Sequence, residues 1–168
     1  MKAFGSVSRA NPEAQMAGAR MFAMRAAEFL SLKDNVVRCV AKRREIQAAY
    51  IFGSVITGRT RPDSDIDVAL LLNEKSACLR ALDYRLKVAA DIRKAIGRMD
   101  LDLVILNNAP PVLAHQVLSK GKLVFERSRS ARVAFQVRTV NLYLDTEPMR
   151  ALFRRYLKRR IREGKIFG

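Results

Sequence analysis

Cysteine and histidine are scarce in this chain of 168 residues, and acids are outnumbered two to one by bases, 16 against 32. The two cysteines, Cys39 and Cys78, stand apart with neither a CxxC pair nor metal-ligand spacing around them. That removes a disulfide framework and a thiolate metal site, and leaves two reduced thiols. The one histidine, His115, falls in a helix opened by prolines and reads as a packing or surface residue rather than a catalyst. No apolar run approaches the roughly 20 residues of a membrane span, so the chain reads as cytoplasmic with no membrane contact. A secretory apolar core is missing from the N-terminus as well. Residues 1–25 are rich in arginine and poor in acids, a loose likeness to a transit peptide, but alanine, glycine and methionine dominate them. Residues 1–20 therefore read as a loosely ordered extension, with Met16, Met21 and Met24 as internal start candidates, and residues 21–168 as a single domain. Internal repeats, low-complexity tracts and linkers are not evident.

What is present is the make-up of an ordinary globular protein, 49% hydrophobic and 29% charged, with enough chain to bury a sizeable core without staples. The formal charge of +16 is unevenly spread, since residues 127–168 hold twelve Lys/Arg against three acids. A tail of that kind attracts phosphate, RNA or an acidic protein surface through its long-range field, and charge alone does not choose among them.

Apolar residues recur at helical spacing over 21–47 (Met21, Phe22, Met24, Phe29, Leu32, Val36, Val37, Val40, Ile46), which predicts one or two helices. Residues 48–52 and 66–72 are apolar runs that read as buried strands, joined by a glycine-bounded turn. A helix is expected over 75–97, through Leu79, Leu82, Leu86, Ala89, Ala90 and Ile96, with Gly97 as its stop. LDLVIL, residues 101–106, is a third strand, and Pro110 and Pro111 open a helix that ends near Gly121. Residues 122–126 form a fourth, edge-type strand led by a lysine. Two helices follow over 129–145 and 148–163, with apolar stripes Val133, Val137, Val140, Leu144 and then Leu152, Phe153, Tyr156, Leu157, Ile161. The fold class is α/β: a small mixed four-strand sheet with flanking helices and a helical C-terminus.

The chemistry concentrates in YIFGSVITGRTRPDSDIDVALLL, residues 50–72. GSVITGRT, residues 53–60, differs from the phosphate-binding pattern GxxxxGK[ST] only by arginine for lysine. Such a loop must lead into a long helix, and here Pro62 and a branched strand come first. Asp63, Asp65, Asp67 and Glu74 take positions one, three, five and twelve of a calcium loop, but position six needs glycine and holds Val68. A third reading uses the strand period of two, which sets Asp65 and Asp67 on one face where the chain enters the buried run. Paired carboxylates repel unless a cation lies between them, and Mg²⁺ bound by carboxylates and substrate phosphates relieves that repulsion. The same aspartates would also serve as a solvated strand end capping a neighbouring helix.

GSVITGRTRPDSDIDVALLL resembles the GSxxxG and SDID motif of the DNA polymerase β nucleotidyltransferase superfamily, in particular its minimal nucleotidyltransferases. LDLVILNNAPPVLAHQVLSKGKLVFER resembles that family's third-carboxylate strand, its APP-led helix and the strand beyond. NLYLDTEPMRALFRRYLKRR is similar to the antitoxin branch, so the resemblance spans about residues 45–165. It implies a polymerase β-like fold in which Gly53, Ser54 and Gly58 hold the triphosphate of ATP and Asp65, Asp67 and Asp102 carry two Mg²⁺ ions. Asp102 also helps deprotonate the attacking hydroxyl, with Asp100 as the reserve for that place. Many relatives carry arginines inside the GSxxxG turn where this chain has Val55, Ile56 and Thr57, so triphosphate contact there is either weaker or comes from Arg59 and Arg61, which also read as plain loop charges.

By the same resemblance the acceptor is a tyrosine of a partner HEPN ribonuclease toxin, joined with this chain in a hetero-oligomer, and AMP transfer silences it. Two other readings are transfer to a small hydroxyl compound such as an aminoglycoside, and a non-catalytic basic module that binds RNA or a toxin by contact alone. For the basic helix over 149–161 three fates are open: packing on its own core, docking an acidic partner, or binding RNA.

Overall fold

The computed structural model describes residues 12–57, 65–77 and 81–164, and among them a four-strand sheet and seven helices. The order is α1 (Pro12–Ala41), β1 (Ile46–Phe52), α2 (Ser54–Thr57), β2 (Ile66–Leu72), α3 (Glu74–Ala77), α4 (Ala81–Ile96) and β3 (Leu101–Ile105). A 3-10 turn (Leu106–Asn108), α5 (Pro111–Lys120), β4 (Lys122–Glu126), α6 (Arg129–Asp145) and α7 (Glu147–Arg162) complete it. The position expected to separate an N-terminal extension from the domain, at residue 20, falls inside α1, and residues 1–11 lie outside the described residues.

The strands lie in the order β3-β2-β1-β4. β1 pairs antiparallel with both β2 and β4, and β2 pairs parallel with β3, so the sheet is mixed and β4 is an edge. The parallel step needs a long crossover, which runs through α3 and α4. Strand alternation sorts the core into two layers. Ala49, Ile51, Val68, Leu70, Leu101 and Leu103 face α1 and α4, whereas Ala48, Tyr50, Phe52, Ala69 and Leu71 face α5 and α6. Apolar side chains on both faces explain why β1 and β2 read as continuous hydrophobic runs rather than alternating ones.

Three expectations are corrected. Ile46, placed in the first helical stripe, opens β1 and is fully buried; the stripe of α1 ends at Val40 because α1 itself ends at Ala41. Leu106 belongs to the 3-10 turn rather than to β3. On α4 the inward positions are Val88, Ala89 and Ile92, with Leu82 and Leu86 exposed. That rotation is pinned by the Tyr84 hydroxyl, which donates to Glu45 at 2.8 Å, and by Arg93, which donates to the Leu101 carbonyl at 2.8 Å. The apolar stripes of α6 and α7 are largely exposed: α6 turns Phe135 and Thr139 to the sheet, and α7 buries no residue. Leu79 and Cys78 lie outside the described residues.

Gly97 has a left-handed φ of +72°, which suits the glycine stop that ends α4. Pro111 stands in the first turn of α5 and Pro110 caps it, where a missing N–H is harmless. Among the described residues no helix is long and apolar enough to cross a membrane.

The end of β2 is tied to the turn after β3 by one side chain. Asn107 accepts from the Leu72 N–H at 2.9 Å and donates to the Leu72 carbonyl at 3.0 Å. Asn107→Leu leaves both backbone groups unpaired, and we expect it to lower unfolding stability by about 1–3 kcal/mol, read as a shift of the urea midpoint with unchanged slope.

Candidate active site

The sheet brings together residues distant in sequence through its register. In the antiparallel pair Phe52 lies opposite Asp67, and in the parallel pair Asp67 lies opposite Asp102. Gly53 follows Phe52 directly, so the end of β1, the start of β2 and the start of β3 meet in one row. Asp65 precedes the first residue of β2 and is exposed, Asp67 is half-buried, and Asp102 is exposed on β3.

Gly53 has φ +75°, a left-handed conformation that costs an L side chain roughly 1–2 kcal/mol. Space also requires glycine there: an added Cβ would stand 1.9 Å from Asp67 Oδ2 and 2.8 Å from its Cγ. The Asp67 carboxylate thus lies against bare backbone at the entrance to α2, whose first residue is Ser54. Gly121 is a second tight point. A Cβ there would meet the Val117 carbonyl at 2.5 Å and Phe52 Cβ at 3.3 Å, so the end of α5 closes directly on the last residues of β1. The sequence marks Gly121 only as a helix stop, and no local pattern carries its packing role.

Burial first, and then the charges of Asp102 and Asp65, push the Asp67 carboxyl above the usual aspartate range. Asp100 is disposed differently. Its carbonyl accepts from the Ile66 N–H at 2.9 Å, and its carboxylate pairs with Arg98 at 3.8 Å. Register and field therefore group Asp102 with Asp67, while Asp100 is tied to Arg98 and to the start of β2. The expected triphosphate contacts Gly58, Arg59 and Arg61 lie outside the described residues, as does Asp63. His115 packs as expected, its ring stacked on Tyr143 with centroids 3.9 Å apart and planes 8° apart.

Hard carboxylate oxygens that repel one another are a donor set suited to a divalent cation. Among the described residues no group of three or more His, Cys, Asp or Glu is placed to hold a metal ion by itself, so the fit rests on the Asp67–Asp102 pair. An open set fits an ion of the Mg²⁺ type, which keeps several positions for substrate phosphates and water. Among the described residues no long helix of the kind a Walker-type phosphate loop requires follows Gly53: α2 is a single turn of four residues, and β2 begins at Ile66. Residues that a calcium loop would need as turn are instead the strand β2.

The family described as "Polymerase beta, Nucleotidyltransferase" matches residues 34–130. Protein adenylyltransferase MntA of Shewanella oneidensis is 30% identical over 112 residues, 67% of this chain and 71% of that protein. A crystal structure of a toxin–antitoxin with AMP-PNP contains a chain 26% identical, with TM-score 0.64, covering 75% of this chain and 98% of that one. The fold is also shared with a chain of the complex of a tri-AMPylated Shewanella oneidensis HEPN toxin and MNT antitoxin, at 24% identity and TM-score 0.61, over 78% of this chain and 98% of that one.

Two outcomes follow from the geometry. The folded state holds the Asp67 proton more tightly than the unfolded chain does. Ionising Asp67 therefore costs nothing below the ordinary aspartate pKa, costs more as pH rises toward the shifted value, and costs most above it. Metal-free Asp67→Asn is expected to melt above the parent at neutral pH, with the gap closing as pH falls into the ordinary aspartate range. Calorimetry over that range checks it, and a gap independent of pH would count against it. Gly53→Ala combines backbone strain with a collision at Asp67, so stability should fall by about 1–3 kcal/mol in chemical denaturation.

Proposed function

From the premise that this chain belongs to the polymerase beta nucleotidyltransferase family, we propose that it transfers AMP from ATP to a tyrosine hydroxyl of a partner HEPN ribonuclease, acting as that toxin's antitoxin in the cytoplasm. The observation that carries the reading is the Asp67–Asp102 register beside Gly53. It sets two carboxylates from separate strands next to a stretch of backbone with no side chain in the way. The names of the similar proteins support the rest, one an adenylyltransferase and another a toxin–antitoxin with an ATP analogue.

Asp65, Asp67 and Asp102 would hold the divalent cations, two Mg²⁺ ions in this reading. When bound, they supply neutralisation of charge on the reacting phosphate and alignment of nucleophile and leaving group. Gly53 and Ser54 present backbone amide and hydroxyl to the triphosphate, and Gly58 and Arg59 extend that contact. Asp102 takes the proton of the attacking tyrosine hydroxyl. The tyrosine oxygen forms a bond to the α-phosphorus of ATP, the bond from that phosphorus to the bridging oxygen breaks, and pyrophosphate leaves. Holding the reactants in line accounts for much of the expected rate, since positioning and charge do most of the work in phosphoryl chemistry. AMP added to the partner brings negative charge and bulk to its surface.

The test is incubation with ATP labelled on the α-phosphate, Mg²⁺ and a HEPN-family ribonuclease from the same organism. Label should appear on the HEPN protein and fall at least about 10³-fold, roughly 4 kcal/mol of transition-state stabilisation, in Asp65→Ala, Asp67→Ala and Asp102→Ala. Asp100→Ala should stay within about tenfold of the parent. Label that survives Asp67→Ala, or that appears on an aminoglycoside and not on the protein, would overturn the reading.

A further inference from the structure

The last two helices present apolar stripes to solvent. On α7, Met149, Leu152, Phe153, Leu157 and Ile161 are 43% to 67% exposed, and the helix buries no residue. These positions share one helical face. On α6, Val133, Val137 and Leu144 are exposed in the same way while Phe135 and Thr139 face inward. The family match ends at residue 130, inside the first turn of α6, so this surface is additional to the part of the chain that carries the aspartates.

The first turn of α7 is held in place. Arg150 donates to the Tyr143 carbonyl at 2.7 Å, pairs with Glu147 at 2.6 Å, and lies 3.6 Å over the Tyr143 ring. That same ring stacks on His115 of α5, so the corner between α6 and α7 is fastened to the body of the domain.

Charge selects what can cover it. α7 holds seven Lys/Arg against one acid, Glu147, whose carboxylate is already paired with Arg150 and Arg154. A second copy of the chain would press two strongly cationic helices together. A nucleic acid would meet the cations but leave the leucine, methionine and isoleucine side chains in water. A protein groove with an apolar floor and a carboxylate rim satisfies both features at once, in the manner of an amphipathic helix laid into a groove.

We propose that α7 docks through its exposed apolar face into an apolar groove rimmed by Asp and Glu on the acceptor protein. It thereby brings that protein to the transferase. The identity of the partner rests on the reaction proposed above, whereas the chemistry of the groove rests on α7 alone. The cations rimming the stripe steer encounter with the acidic rim and fix orientation, and the stripe supplies the buried contact.

Two full-length variants test this, Leu152→Asp with Phe153→Asp, and Arg154→Glu with Arg155→Glu and Arg159→Glu. The probe is the HEPN-family ribonuclease used above, with affinity read by titration calorimetry and ATP binding read separately. Both variants should unfold at the parent temperature and bind ATP equally well, yet bind the HEPN protein at least about 30-fold more weakly. The charge variant should also lose most of the salt dependence of binding. Equal affinity of variants and parent would overturn the proposal, as would a parent that fails to bind the HEPN protein. So would an α7-dependent dimer of the chain, or α7-dependent binding of a single-stranded RNA oligonucleotide with HEPN binding unchanged. A complex that forms through α7 without AMP transfer would leave the docking surface standing and remove the enzymatic reading.

Discussion

The contact on which the rest depends is between a carboxylate and a backbone that lacks a side chain. Asp67 Oδ2 occupies the space a Cβ on Gly53 would fill. That contact fixes where the charge of Asp67 sits relative to the start of α2, and the sheet register then fixes where Asp102 sits relative to Asp67. The cost of the arrangement is visible in the raised pKa of Asp67, which records an environment less favourable to its charge than water. A site that destabilises its own ionised carboxylate in this way is one whose stability improves when a cation or a proton arrives.

The sheet was largely legible in the sequence because its central strands are apolar on both faces, and such runs stand out against their neighbours. Residues 66–72 and 122–126 were read as strands with the bounds the structure gives them. Mixed pairing was also foreseen, but order and direction were not, since hairpin and crossover leave similar traces in a linear pattern. Helix faces were less legible. Leu82 and Leu86 have the right spacing for burial on α4, yet hydrogen bonds from Tyr84 and Arg93 set the rotation, and those partners lie far away in sequence or across a turn.

The same lesson applies to the aspartates. A period of two places Asp65 with Asp67, and it places Asp100 with Asp102 just as well. Only register separates the latter two, and register is a property of two strands, not of one. The packing of Gly121 against Val117 and Phe52 was likewise invisible, because nothing local distinguishes a glycine required by a neighbour from one required by φ. On α6 and α7 the sequence marks an apolar face and leaves its destination open, because periodicity shows that a face is apolar without saying which molecule covers it.

The mixed pairing of β2 has a consequence for how the chain reaches its working state. β1 and β2 are close in sequence and antiparallel, whereas β3 comes to β2 only after the α4 crossover has folded back. Contacts between nearby segments form at lower entropic cost than distant ones. The charge of Asp102 is therefore brought against Asp67 by the non-local pairing, the one that carries the larger loop-closure cost. A chain still lacking β3 at its position is spared the charge of Asp102 but not that of Asp65.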